Sequence, residues 1–219
     1  MPTVSKLGKE LIKDINVTIT ELRSSGLLRD EMGVSQQIIN GDILEISYCG
    51  KNDTSRIVFD KHITCSKLMD TLLAGRQYNI LFYDKSLLQA EFFVSTNAVL
   101  KERLVFIKKH NRIWSIDEID QYDALDEDWF SEEPGIPIMI RIDYDPDNHK
   151  ECDHAVAHLT LSNHESCRIP LKNAVTFSEF VRFVLLHFYD IKLNVPNYRF
   201  SGADSITDLE KKMIHMSWN

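Results

Sequence analysis

The residues most able to do chemistry lie in one stretch, Arg141-Ile-Asp143-Tyr-Asp145-Pro-Asp147-Asn-His149, followed by Asp153, His154 and His158. Carboxylates two apart where a strand ends reach one hard cation as the chain curls out of its sheet. Asp143, Asp145 and a strand-borne His158 therefore form a candidate metal site, two carboxylates and an imidazole suiting Mg, Mn or Zn. The stretch is not a calcium loop, because Asn148 stands at the sixth position and His154 at the twelfth. The competing reading is a turn whose Asp side chains cap their own backbone. Downstream, Cys167-Arg168-Ile169-Pro170 can fold back in a hairpin and bring Arg168 beside His158, pairing a guanidinium with an imidazole for an anion. A surface Arg bridging to an acid is the plainer alternative. On the catalytic reading His158, Arg168 and Asp145 act on a phosphodiester. On a third reading the same Arg168 holds a phosphorylated ligand without turning it over.

A second pattern is His158-Leu-Thr160 with His62-Ile-Thr64, the pairing of a two-histidine phosphoesterase in which one imidazole is base and the other acid. His164-Glu-Ser166 and His215-Met-Ser217 fit the same loose pattern, so it discriminates little. No GxxxxGK[ST], GxGxxG, GxSxG or HExxH run is present, which removes P-loop, Rossmann, α/β-hydrolase and zincin readings. Phe180, Phe183, Phe188, Tyr189, Tyr198 and Phe200 read as core rather than as a base-stacking platform, since only Arg182, Lys192 and Arg199 flank them.

The elements that must position these residues follow from periodicity. Leu7, Leu11, Ile12, Ile15, Ile19 and Leu22 predict an amphipathic helix from about Ser5 to Ser24. Ile43–Cys49 and Arg56–Phe59 flank Gly50-Lys51-Asn52-Asp53 and predict a hairpin; Cys65–Leu73 predicts a short helix. Gln77–Tyr83, Leu87–Val94 and Arg103–Lys108 predict a meander, and Ile138–Tyr144, Val156–Leu161 and Cys167–Leu171 a further run of strands. Helices are expected over Ser178–Tyr189 and from about Ser205 to Trp218. The expected fold is α+β: an antiparallel sheet of hairpins and meanders flanked by N-terminal and C-terminal helices. One domain over residues 1–219 is expected, bearing an acidic aromatic insertion at 116–135, with a sub-domain split near 134 as the alternative.

The insertion dominates the charge. Nine acids and no Lys or Arg lie between Ile116 and Glu133, and without them the net −8 becomes +1. The acids alternate with Tyr122, Leu125, Trp129 and Phe130, so the segment is either a solvated face or a docking site. On the docking reading the chain is a non-catalytic interaction module: Asp126 and Asp128 steer a basic protein partner, and Trp129 and Phe130 anchor it. The overall acidity argues against a dedicated nucleic-acid coat, although a local nucleotide or nucleic-acid contact stays open. With 43% hydrophobic and 26% charged residues, the chain buries a substantial core. It has no apolar run long enough to span a membrane and no apolar signal near Met1–Ile15, and its four Cys lack CxxC spacing. A cytoplasmic protein with reduced thiols is expected.

Arg76-Gln-Tyr-Asn79, Asp84-Lys-Ser86 with Gln89, Glu102-Arg-Leu104, Arg141-Ile-Asp-Tyr-Asp-Pro146, His158-Leu, Cys167-Arg-Ile-Pro170 and Phe180 through Tyr189 occur in that order. Together they resemble a bacterial family catalogued as domain of unknown function 2290, over roughly Asp60 to Tyr189. The resemblance implies no established activity. It implies membership in mobile, host-variable gene clusters, hence a phage-defence or toxin–antitoxin role with a protein partner from the same cluster. It also implies a second His two residues after His158, where this chain has Thr160, and a proline-rich stretch where it has Lys108-Lys-His-Asn111.

Overall fold

The computed structural model describes residues 4–108, 137–162, 167–195, 198–200 and 204–217. The acidic segment 116–135, with Asp126, Asp128, Trp129 and Phe130, lies outside the described residues.

Helix α1 (Lys6–Ser24) starts where the Ser5 side chain accepts from Gly8 N, and it buries the stripe Leu11, Ile15, Ile19 and Leu22. Among the described residues nine strands then form one antiparallel sheet: β1 (Leu28–Glu31), β2 (Val34–Ile39), β3 (Ile43–Tyr48), β4 (Ile80–Phe82), β5 (Leu87–Val94), β6 (Val99–Lys108), β7 (Ile138–Tyr144), β8 (Ala157–Leu161) and β9 (Arg168–Pro170). The main order is β1-β4-β5-β6-β7-β8-β9, and β3 also pairs with β5, with β2 outside β3. The β4–β5 turn is held by Asp84, which accepts from Ser86 N at 3.0 Å.

Alternation along the central strands sorts two faces. Leu88, Phe92, Leu104, Phe106, Ile140, Ile142, Ala157 and Leu159 face the main core, closed by α1 and by α3 (Phe177–Tyr189). Helix α3 opens on a capping box in which Thr176 and Glu179 satisfy each other's backbone N–H. On the opposite face a smaller core forms under α2 (Cys65–Ala74) and the 3-10 segment Asp53–Phe59, around Leu68, Met69, Leu72, Val105 and Ile107.

The antiparallel α+β architecture with helices at both ends matches the expectation, and three local features differ from it. Arg56–Phe59 is part of a 3-10 helix and not a strand. Asn52 caps it by accepting from Thr54 N at 2.8 Å, and consecutive Ile57, Val58 and Phe59 pack toward the second core, which alternation would forbid. The partner of β3 is instead β2, reached through a turn in which Asn40 and Gly41 take φ of 46° and 89°. Near the C-terminus a helix is expected from Ser205 to Trp218; over the described 204–217 there is instead a single 3-10 turn, Glu210–Lys212. The buried Glu210 carboxylate ties that turn to Thr207 N at 2.9 Å and to Cys152 N at 3.2 Å, and Met216 forms a parallel bridge with Leu171.

Candidate functional site

Strand register builds the site. Arg103, Asp143 and His158 are successive partners across β6, β7 and β8, and Val105, Arg141, Thr160 and Arg168 form the next row out to β9. Alternation puts all of them on the face away from α1 and α3. Asp143 accepts from Arg103 Nε at 3.1 Å on one oxygen and from Arg141 Nε at 2.5 Å on the other. Both guanidinium groups lie over the Phe59 ring, at 4.2 and 5.0 Å from its centroid.

The row continues on the other side of Arg103. Glu91 accepts from Arg103 Nη1 at 3.3 Å and pairs with Lys51, which also donates to Glu45 at 2.6 Å. A groove of about 840 Å³ opens along this side, between β3, β5 and the 53–59 turn, lined among others by Ser47, Tyr48, Asn52 and Phe93.

His158 is buried, and its Nδ1 donates to Ala155 O at 2.9 Å. That fixes the neutral tautomer with a lone pair on Nε2, 3.8 Å from the Asp143 carboxylate. Burial pushes the His158 pKa below 6.5 and outweighs the upward pull of Asp143; His154 and Arg168 add to the depression. His154 stands edge-on to His158, ring centroids 4.5 Å apart, and burial with Arg168 lowers it too. Burial also lowers Arg103. Among the described residues, His158 Nε2, Thr160 Oγ1, Arg168 Nε and His154 Nδ1 are buried without a hydrogen-bond partner. Such groups cost free energy as long as they stay unpaired.

The arrangement brings Asp143, His158 and Arg168 together, as the hairpin reading expects. Asp145 shares their side but is engaged elsewhere. It accepts from Lys101 Nζ at 2.7 Å and Asn148 Nδ2 at 2.9 Å, and these hold its pKa below 3.8 although burial works the other way. The residues do not fit a divalent cation. Both Asp143 oxygens are taken by guanidinium groups, and no cluster of three His, Cys, Asp or Glu able to hold a metal exists among the described residues. The two His-x-Thr elements do not face each other: His62 is exposed ahead of α2, and Thr64 is spent as that helix's cap, accepting from Lys67 N at 3.3 Å. Cys167 is half-buried just before β9.

Sequence reading missed Arg103, Lys51 and Phe59 as members of the cluster. The signal for Arg103 was present, because Lys101 and Arg103 stand two apart, on one face of a strand that runs on into the buried apolar Leu104–Ile107.

What fold and site define is an antiparallel α+β protein carrying a guanidinium–imidazole cluster on its second sheet face. The chain belongs to the family described as "Uncharacterized conserved protein (DUF2290)", whose profile matches residues 28–218. The match is wider than the Asp60–Tyr189 span of the resemblance, taking in β1 to β3 and the C-terminal turn, and it begins just after α1. No curated protein and no solved structure matches the chain.

Proposed function

We propose that this protein binds a phosphate-bearing ligand, a nucleotide or the phosphorylated end of a nucleic acid, at Arg168, Thr160 and His158. The observation that carries the reading is the convergence of unpartnered Arg168 Nε, Thr160 Oγ1 and His158 Nε2 beside Arg141. Arg168 and Thr160 donate to phosphate oxygens, and the neutral imidazole accepts from a ligand hydroxyl. Arg141 and Arg168 outnumber Asp143 beside these groups, Arg103 being shared between Asp143 and Glu91 and Asp145 being held by Lys101, so the local charge favours an anion although the whole chain carries −8.

The test is calorimetric titration of the full chain with inorganic phosphate, ATP and a 5′-phosphorylated oligonucleotide. Binding of at least one probe is expected, weakened about tenfold or more by Arg168→Gln and less by Thr160→Val. If none of the three binds, or if Arg168→Gln leaves affinity unchanged, the assignment is wrong. A second reading, phosphodiester cleavage, is favoured by one feature only: the His158 tautomer leaves Nε2 free to take a proton from an attacking water. Product release abolished by His158→Gln and indifferent to added Mg or Mn would support it. Binding without product would leave a ligand sensor.

A further inference from the structure

The sheet has two outer margins among the described residues, and they are protected unequally. At the far margin β9 is three residues long and ends in Pro170, and the next residue, Leu171, is bridged to Met216. At the near margin the chain runs from β1 into β2. The β1 half carries Arg29, Asp30 and Glu31 and a register irregularity between Leu28 and Asp30. These are the usual devices that keep an edge from recruiting another strand. The β2 half has none of them. Val-Ser-Gln-Gln-Ile-Ile contains no charge and no proline, and its six residues pair with β3 in unbroken register.

Its hydrogen-bonding phase is fixed by Cys49 N, which donates to Gly33 O at 2.7 Å. Residues 33 and 49 are therefore a hydrogen-bonded pair, and by alternation Ser35, Gln37 and Ile39 turn their N–H and C=O toward β3. Val34, Gln36 and Ile38 turn theirs outward, where among the described residues no strand lies. Val34 and Ile38 pack against the main core, Ser35 and Gln37 line the groove, and the Gln36 side chain is exposed.

An occupant of this edge must present outward N–H and C=O groups at alternate residues of an antiparallel strand and bring no unpaired charge. A second β2 meets both requirements. With a two-fold axis at Gln36, Gln36 faces its own copy, while Val34 faces Ile38 of the other chain and the reverse. All three of these are hydrogen-bonded pairs, so every outward backbone group of Val34, Gln36 and Ile38 is satisfied. Val34 and Ile38 then continue the apolar layer across the junction on the α1 face.

We infer that β2 is a homodimer interface, two copies of this chain joining their sheets edge to edge about Gln36. Light scattering or sedimentation of the full chain across a wide concentration series should give a mass approaching twice 25.4 kDa. Gln36→Lys sets two like charges against each other at the axis, on an exposed side chain that the fold does not use. It should raise the dissociation constant about fivefold or more while far-UV circular dichroism stays unchanged. In the dimer the amides of Val34, Gln36 and Ile38 should exchange slowly, and in Gln36→Lys at dilution they should exchange quickly. A single-chain mass at every concentration overturns the inference. So does a dimer whose dissociation ignores Gln36→Lys and whose three amides exchange freely, since its interface then lies elsewhere. A chain that associates only with a different protein overturns it as well.

Discussion

Replacing Lys108 with Met removes one half of the most deeply buried ion pair among the described residues, whose side chains are only 2% and 5% exposed. Lys108 sits at the end of β6, its ammonium on the Asp84 carboxylate and 4.7 Å from the centroid of the Tyr189 ring. Asp84 also accepts from Ser86 N at 3.0 Å and from Tyr189 Oη at 2.9 Å. Met fills much of the lysine's volume, so the lost contact area is small and the cost is electrostatic. Asp84 keeps its hydrogen bonds but loses its counter-charge, which for a pair this buried costs about 3–5 kcal/mol. In a chain of 219 residues that lowers the thermal midpoint by roughly 10 °C. The assay is urea and thermal unfolding followed by circular dichroism, on Lys108→Met, Asp84→Asn and the double variant. Adding Asp84→Asn to Lys108→Met removes the stranded charge, so the double variant should recover about 2 kcal/mol of the loss. A Lys108→Met protein within about 1 kcal/mol of the parent would refute the reasoning, because it would mean the site is not dry enough for the charge to matter.

Three further outcomes are expected. Glu102 is fully buried, accepts from Val175 N at 2.9 Å, and burial holds its pKa well above 4.5. The unfolded chain ionises first as pH rises, so this group costs stability above about pH 4.5; Glu102→Gln should raise the midpoint at pH 7, with the gain fading toward pH 4 in a melting series. His158 and His154 have folded pKa values below 6.5, so the unfolded state takes up protons that the folded state refuses. Stability should fall as pH drops through about 6.5 and below, less so in His158→Gln, as read by urea midpoints against pH. Thr176→Ala removes half of the α3 capping box and should cost about 1 kcal/mol in the same unfolding assay.

The parts of the fold legible in the sequence are those whose residues announce a single periodicity. Leu87–Val94 and Ile138–Tyr144 are apolar or alternating runs bounded by turn residues, and both strands fall on those limits. The 28–39 stretch was opaque because Arg29, Asp30, Glu31, Gln36 and Gln37 break any alternation, and its first strand pairs with β4, some fifty residues further along the chain. Asn40-Gly41 between Ile38-Ile39 and Ile43-Leu44 was a readable hairpin mark. Much of what carried the family resemblance turns out to be scaffold. Asn79 Oδ1 accepts from Ala90 N at 2.6 Å, Gln89 donates to Gln77 O at 2.7 Å, and Asp84 and Ser86 clamp Tyr189. At the site, Asp143, His158 and Arg168 stood close enough in sequence to suggest one another. Arg103 lies 40 residues before Asp143, and only strand register joins them.

The seat of α1 also bears on how the chain is made. Its stripe Leu11, Ile15, Ile19 and Leu22 is buried in the main core with α3, and Asp14 accepts from Ser178 N at 3.0 Å across 164 residues of sequence. On a translating ribosome that interval lasts about 10–30 s. Throughout it the greasy side of α1 has no α3 to rest on, so that stripe of the nascent chain stays partly uncovered until the last third has been made. The helix lying outside the family match is thus the one whose burial waits longest on the rest of the molecule.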